Sequence, residues 1–503
     1  MRKNALGSAS YLSKHEAGGL RLEAQRSEKR NPSRWTAKDI LAATGGALLC
    51  GDVDREFAEI SIDSRNISAR DVFVAIIGDV HDGHSFLSDV AVKGVRGLVV
   101  AGNKAAALPV DAWEKNKVMC VAVEDTTRAL GDLAAFHRNR MQASVIAITG
   151  SNGKTTTRKL TAAVVGRKFN TLTAFGNYNN QIGLPLTLLN LRNAHQWAVL
   201  ELGTNRPGEI ARLAEICRPD IGVITNIGPA HLEGLGTLDG VMREKGSLLT
   251  YLKKDGRAVL NADDTRVLKI AKNTDRQVLL FGMAREAEIR AGSFKERASG
   301  ISFILDLPAE SIAVDLPLYG QFMVSNALAA AAVGYLTGLS AHEIKAGLEH
   351  SDPAPGRMNI FDIADGIHIV DDTYNANPDS MKAAFATLTS LRANSRGIAV
   401  IGDMLELGEQ AESLHRQIGA LAAASGIARI YVTGNHAPAV AAGARQMQMK
   451  PQDIFTGSRE EILSDLKDRL KPGDWLLVKG SRGMAMEKII KGLVKWAGIE
   501  PGT

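Results

Sequence analysis

The stretch Val145-Ile146-Ala147-Ile148-Thr149-Gly150-Ser151-Asn152-Gly153-Lys154-Thr155-Thr156-Thr157 carries the strongest chemical signal in this 503-residue chain. An apolar run suited to a buried strand passes through a glycine turn into a helix. Glycines there let backbone N–H groups close around phosphate oxygens, and the helix N-terminus favours negative charge. The Lys154 ammonium reaches the β/γ-phosphates and the Thr155 hydroxyl can bind Mg²⁺. That is nucleotide chemistry. The usual phosphate loop has a Gly five residues before Gly153, where this chain has Ile148, so the match is to a shorter variant. A bare glycine turn before a helix is the bland alternative, and Gly-Lys-Thr at a strand-to-helix junction argues against it.

Metal ligands for such a loop should come from the carboxyl ends of neighbouring strands, where open α/β sheets place their crevice. Glu201 follows the strand-like run 198–200, and His231 follows the run 221–225. Lys245 lies on the next helical stretch beside Arg243 and Glu244. Taken singly, a strand-end Glu is more often a solvated cap, a lone His satisfies a local hydrogen bond, and a helical Lys is a surface charge. None of the three identifies a metal centre by itself.

The elements that must position these residues read as alternating strands and helices. A helix-like start at Thr36-Ala37-Lys38-Asp39 precedes short strands near 60–62, 72–76, 97–100 and 118–123, which make a small α/β unit. Strand-like runs at 145–148, 198–202, 221–225, 258–261 and 278–281 then alternate with amphipathic stretches, the rhythm of a mainly parallel sheet with helices on both faces. Period-two alternation over 288–318 suggests a meander, and 324–336 is Ala-rich and helical. After the Pro-punctuated segment 352–356, strands recur at 367–370, 398–401, 429–432 and 475–478. The expected division is a disordered basic extension at 1–34, a first domain at 35–124, a central domain at 125–352 and a Rossmann-like C-terminal α/β domain at 353–503.

Composition narrows the function classes. Hydrophobic residues at 45% and charged residues at 23% describe an ordinary globular protein. The net charge of +5 comes from residues 1–34, which hold eight Lys or Arg against three Asp or Glu; the remaining residues balance at 52 of each. A nucleic-acid or membrane-surface reading therefore has little support. Cys50, Cys120 and Cys217 show no metal-type spacing and no disulfide pattern, so a reducing cytoplasm is expected. The longest apolar stretch, 327–336, is far short of the ~20 residues that span a bilayer.

With these residues assembled, the chain resembles the Mur ligase family over about residues 36–495. The resemblance rests on the shortened loop at Thr149–Thr157 and on Gly176-Asn177-Tyr178-Asn179-Asn180-Gln181-Ile182-Gly183. It continues through Glu201-Leu202-Gly203, Ala230-His231-Leu232-Glu233, Glu244-Lys245-Gly246, Gly402-Asp403-Met404-Leu405-Glu406-Leu407-Gly408 and Lys479-Gly480-Ser481-Arg482. Asp371-Asp372-Thr373-Tyr374-Asn375-Ala376-Asn377-Pro378 is similar to the version in the dipeptide-adding member. Relatives that add one amino acid typically carry a His near Tyr374 or Asn375, and an arginine-bearing Asp-Asn-Pro signature is absent. Arg70 departs from the family, where a Gly often precedes the position of Asp71.

The resemblance implies a set of roles. ATP would lie against Thr149, Gly150, Ser151, Asn152, Gly153, Lys154, Thr155 and Thr156, with Asn326 on the adenine side, Arg357 on the γ-phosphate and Asp371 near the ribose. Thr155 and Glu201 would hold one Mg²⁺; His231 and a Lys245 carbamylated by CO₂ would hold or position a second. Ser64, Arg65, Asp82, Gly83, His84, Asn177 and Asn180 would bind the UDP-sugar, and Tyr374, Asn375 and Asn377 the incoming dipeptide. Lys154, Glu201, His231, Lys245 and Arg357 would be the catalytic group. The implied substrates are UDP-N-acetylmuramoyl-tripeptide and D-alanyl-D-alanine, joined by a monomer with no nucleic acid and no stable membrane insertion. The alternatives are a family member adding a single amino acid, a folate-type glutamate ligase, or a nucleotide-gated scaffold that ligates nothing.

Overall fold

The computed structural model describes residues 35–78, 80–174, 176–297, 299–363 and 366–499. The expected basic extension lies outside them. Three large sheets, beside a two-stranded pairing of Trp35–Thr36 with Glu56–Phe57, organise the described residues, in keeping with the expected α/β class. The first has five strands in the order Ala47–Cys50, Met119–Val123, Gly97–Ala101, Val72–Val74, Ile60–Ser61, parallel except at the first edge. Ahead of it, Thr36 caps the helix Ala37–Thr44: its side chain accepts from Asp39 N–H while the Asp39 carboxylate accepts from Thr36 N–H.

The central sheet has nine strands. Seven are parallel, running from Thr171–Thr173 at one edge through Trp197–Glu201, Ser144–Thr149, Ile221–Ile224, Arg257–Asn261 and Gln277–Gly282 to Ile289–Arg297. The expected meander completes it as antiparallel Ile289–Arg297, Gly300–Asp306 and Ser311–Leu316. Successive side chains on a strand point to opposite faces, so Ile146 and Ile148 enter the core that holds Leu160 and Val164, while Val145 and Ala147 enter the other with Leu213 and Leu248. The helix Phe322–Leu336 is apolar on nearly every side because it is enclosed; its residues 327–333 are all fully buried.

The third sheet, Asn359–Ile363, Ile367–Asp372, Trp475–Lys479, Gly397–Ile401, Arg429–Val432, Ile454–Thr456, is parallel apart from its first strand. The short edge strands Asn359–Ile363 and Ile454–Thr456 were not legible in the sequence, because edge positions lack a fully apolar run. Two joins fix the relative placement of the domains. The helix Thr126–Arg140 buries Ala129, Leu130 and Leu133 with Trp35 and Val121 of the first domain and Ala134 with the central core. The central core on its other face continues without a break through Met358, Met381 and Phe385 into the third domain.

Packing against the phosphate-loop helix Lys154–Val165 is tight enough to test. A Cβ on Gly347, in the helix Ala341–Glu349, would fall 2.5 Å from Val164 Cα. Gly347→Val should therefore force the two helix backbones apart and destabilise by about 1–3 kcal/mol, read as a lower urea midpoint; an unchanged midpoint would show that the helices are free to separate.

Candidate active site

The strand Ser144–Thr149 sits between Trp197–Glu201 and Ile221–Ile224. The connection leaving it passes to the side of Thr171–Thr173 while that leaving Trp197–Glu201 crosses to Ile221–Ile224, so the carboxyl end of the strand opens on a crevice between two loops. Gly150 (φ 152°) and Gly153 (φ 79°) make the turn. Both must be glycine for space as well as for φ: a Cβ on Gly150 would lie 1.9 Å from Thr225 Oγ1, and one on Gly153 would lie 2.2 Å from Asn326 Oδ1.

The loop is clasped by the end of the next strand. Ser151 Oγ donates to Gly228 O (3.0 Å) and accepts from Gly228 N–H (2.9 Å), while Asn152 N–H donates to Asn226 Oδ1 (2.8 Å). Thr225 Oγ1 donates to Asn152 O at 2.6 Å. Thr149 is buried and its hydroxyl donates to Leu202 O (3.0 Å), tying the loop to the strand on the other side. Lys154 Nζ folds back to Gly150 O at 2.8 Å.

Glu201, 2% exposed, is the hub. Its carboxylate accepts from Thr155 Oγ1 (2.8 Å) and Asn179 Nδ2 (2.9 Å), and Arg158 Nε lies 3.6 Å away. Arg357 crosses from the third domain, its Nη2 donating to Thr155 Oγ1 at 3.0 Å. Burial alone would raise the Glu201 pKa, but Lys154, Arg357 and Arg158 together with Asn179 hold it below the usual carboxylate range. Burial, reinforced by Arg357, lowers Lys154 against the pull of Glu201 and Glu406.

The cleft around this hub encloses about 720 Å³ and is lined from the central and third domains together. Ser151, Asn152, Gly153, Lys154, Thr156, Asn177, Asn180, Glu201, His231, Asn326, Arg357, Tyr374, Asn375 and Asn377 all line it. Asn326 stands behind Gly153 and accepts from Thr157 Oγ1 at 3.2 Å. Tyr374 lies under Arg357, whose guanidinium carbon is 4.1 Å from the ring centroid, with Arg482 at 5.8 Å. Asn377 does more than line the wall: its Oδ1 caps the helix Pro378–Arg392 at Ser380 N–H (2.9 Å), and its Nδ2 donates to Asn152 Oδ1 (2.8 Å), joining the third domain to the phosphate loop.

His231 also bridges domains, its Nδ1 lying 2.5 Å from Glu406 Oε2. Burial lowers the His231 pKa while Glu406 raises it, and the net shift is downward, toward the neutral imidazole that can act as a ligand. Lys245 is fully buried with no hydrogen-bond partner for Nζ, and burial, together with Lys154, lowers its pKa well below the ordinary lysine value. A buried amine in that state is held toward its uncharged, nucleophilic form. Thr155 and Glu201 present hard oxygen donors side by side, which suits Mg²⁺.

Some expected site residues are not brought to the cleft. Ser64, Arg65, Asp82, Gly83 and His84 lie in the first domain and none lines it. Arg65 pairs with Asp63 at 2.9 Å; His84 Nδ1 pairs with Asp82 at 2.7 Å while its Nε2 accepts from Ala101 N–H at 2.9 Å. Asp371 is fully buried beneath the wall rather than on it, and Asp372, one position on, faces the cleft and pairs with Lys479 Nζ at 2.5 Å. Strand alternation explains the exchange. Asn179, Asp372, Glu406, Lys479 and Arg482 lie in stretches that carried the resemblance but were given no role, and Arg158 was missed, because what each does depends on a partner distant in the chain.

Comparison with known proteins agrees with this arrangement. The Mur ligase middle domain model matches residues 148–334, the Mur ligase glutamate ligase domain model 356–482 and the Mur ligase family catalytic domain model 56–138. The chain belongs to the Mur ligase family. The UDP-N-acetylmuramoyl-tripeptide–D-alanyl-D-alanine ligase of Escherichia coli strain K12 is 36% identical over 462 residues, 91% of this chain and 98% of that protein. The crystal structure of MurF from Acinetobacter baumannii superposes with a TM-score of 0.83 at 33% identity, over 92% of this chain and 99% of that one. MurF ligase from Thermotoga maritima in complex with ADP gives a TM-score of 0.77 at 28% identity, over 88% and 98%. As in this Mur ligase family member's relatives, ATP-dependent ligation is the chemistry the site must serve.

Asp371 gives a pH test. Burial raises its carboxyl to about 6 from 3.8, against the hydrogen bonds from Thr373. Above the unfolded value the unfolded chain holds fewer protons than the folded one, so this group's contribution to stability falls as pH rises from about 4 to 6. Asp371→Asn should gain on the parent protein by up to roughly 3 kcal/mol between pH 4 and pH 7, measured by urea denaturation; a pH-independent difference would contradict the assignment.

Proposed function

We propose that this chain is the ATP-dependent ligase that joins D-alanyl-D-alanine to the terminal carboxylate of UDP-N-acetylmuramoyl-tripeptide, releasing ADP and phosphate, in the cytoplasmic assembly of peptidoglycan precursors. The observation that carries the reading is Arg357 of the third domain bonded to Thr155 of the phosphate loop, inside a cleft that both domains line. High coverage of relatives with that activity supports the dipeptide over a single amino acid.

A carboxylate resists amine attack because it is anionic, so its oxygen must first become a leaving group. ATP supplies this by phosphorylating the peptide carboxylate. Lys154 and Arg357 stand where the γ-phosphoryl passes, and fixed positive charge there is stabilising without reorganisation. Ser151 and Asn152 N–H are committed to Asn226, so the free N–H groups at the start of the helix Lys154–Val165 would face the phosphates. Thr155 and Glu201 would hold one Mg²⁺, with His231 and carbamylated Lys245 at a second; bound magnesium would neutralise charge on the transferring phosphoryl group.

The acyl phosphate is then attacked by the neutral amine of the dipeptide. Phosphate departs and an amide bond remains. Tyr374 and Asn375 on the third domain would receive the dipeptide, while Asn377 keeps their loop against Asn152. Asn177 and Asn180, which line the cleft from the central domain, would bind the UDP-sugar together with Ser64, Arg65, Asp82, Gly83 and His84 of the first domain. Closure of the domains excludes the water that would otherwise hydrolyse the intermediate.

Lys154→Ala should abolish ADP release in the presence of both peptides, and normal turnover would contradict the site. With the UDP-linked tripeptide supplied, D-alanyl-D-alanine should stimulate ADP release where single amino acids do not; stimulation by an amino acid would favour the rival ligase. Bicarbonate withdrawal should lower activity and small carboxylates should partly rescue Lys245→Ala, whereas full activity of that variant without any rescuer would exclude the carbamate.

A further inference from the structure

The contact between His231 and Glu406 lies outside the roles assigned above, and its geometry is unusual on both sides. His231 has φ 57° and Glu406 φ 63°, left-handed backbone in two non-glycine residues that face each other across a domain boundary. Besides the side-chain contact, Glu233 N–H donates to Glu406 O at 3.0 Å. Gly408, also left-handed at φ 58°, brings the loop into ordinary contact with Glu233, a Cβ position there lying 3.5 Å from Glu233 Cα. Strained backbone of this kind persists where the surroundings over-determine it, and it clusters at functional sites.

We propose that Glu406 is a positioning residue that latches the third domain to the central one and fixes the ring of His231. Its carboxylate accepts Nδ1–H, which leaves Nε2 as the free acceptor of the imidazole. A ligand or hydrogen-bonding histidine is commonly held in one tautomer by such a carboxylate. The pairing exists only when the two domains are together, so His231 is correctly aimed only in the closed enzyme. The Glu406 side chain is 45% exposed, and exposed ion pairs contribute little to stability. The contact therefore acts through orientation rather than through folding energy. This inference rests on the reading that His231 belongs to the reacting centre.

The test compares Glu406→Ala, Glu406→Gln and His231→Gln in the full chain. Steady-state kinetics, thermal unfolding and small-angle scattering would be measured with both peptides and a non-hydrolysable ATP analogue for the scattering arm. Glu406→Ala should lower kcat by about 10–100-fold, with KM for ATP and for the tripeptide little changed. Its melting temperature should stay near that of the parent protein, and its radius of gyration with the analogue bound should be larger. Glu406→Gln keeps an acceptor oxygen and should restore most of kcat and the compact radius. Parent-like kcat and radius in Glu406→Ala overturn the latch, as does a kcat loss matched by a general loss of thermal stability. Should His231→Gln turn over normally, the assignment of His231 to the reacting centre fails, and the scattering comparison still decides the latch.

Discussion

One buried carboxylate among three cations is the constraint on which this structure turns. An isolated carboxylate in a protein interior costs several kcal/mol, and Glu201 is tolerable only because Lys154, Arg158, Arg357, Thr155 and Asn179 surround it. Those partners come from the phosphate-loop helix, the segment after Phe175 and the third domain. The Glu201 position therefore couples strand, loop and domain closure in a single network. The cations outnumber it, and that surplus of fixed positive charge matches a triphosphate better than it matches water.

The third domain is placed against this network by contacts of three kinds. An apolar core continues across the join, Asn377 reaches Asn152, and His231 pairs with Glu406 beside the backbone hydrogen bond from Glu233 to Glu406. Since the apolar seam is directionless and the polar links are directional, the first supplies most of the affinity between domains and the second sets their register. The phosphate loop is stiffened in parallel by Thr225, Asn226 and Gly228, so that wall of the cleft is held within the central domain itself.

Local patterns were readable in the sequence and distant pairings were not. The loop Thr149–Thr156 could be read because strand, glycine turn and helix are contiguous, and the parallel strands could be read because burial on both faces gives continuous apolar runs. The helix start at Thr36-Ala37-Lys38-Asp39 was visible for the same reason of proximity, and the structure adds the reciprocal cap between Thr36 and Asp39. By contrast, Arg158 carries no local signature, and Glu406 and Lys479, though they lie in stretches that carried the resemblance, could be given no role because their partners are brought to them only by the fold. Asp371 shows the limit of motif transfer most clearly: in a strand, moving one residue exchanges wall for core, so Asp372 holds the cleft-facing position. The glycine geometry behind Gly150 and Gly153 was foreseen in kind, but not the identity of Thr225 and Asn326 as the atoms that enforce it.

The central claim is that the cleft beside Glu201 and Lys154 activates a carboxylate by phosphorylating it. The most direct measurement uses tripeptide substrate carrying ¹⁸O in its terminal carboxylate, with mass analysis of the phosphate released during ligation. Transfer of one labelled oxygen to each phosphate is the predicted result. Unlabelled phosphate formed alongside ligated product would contradict the account.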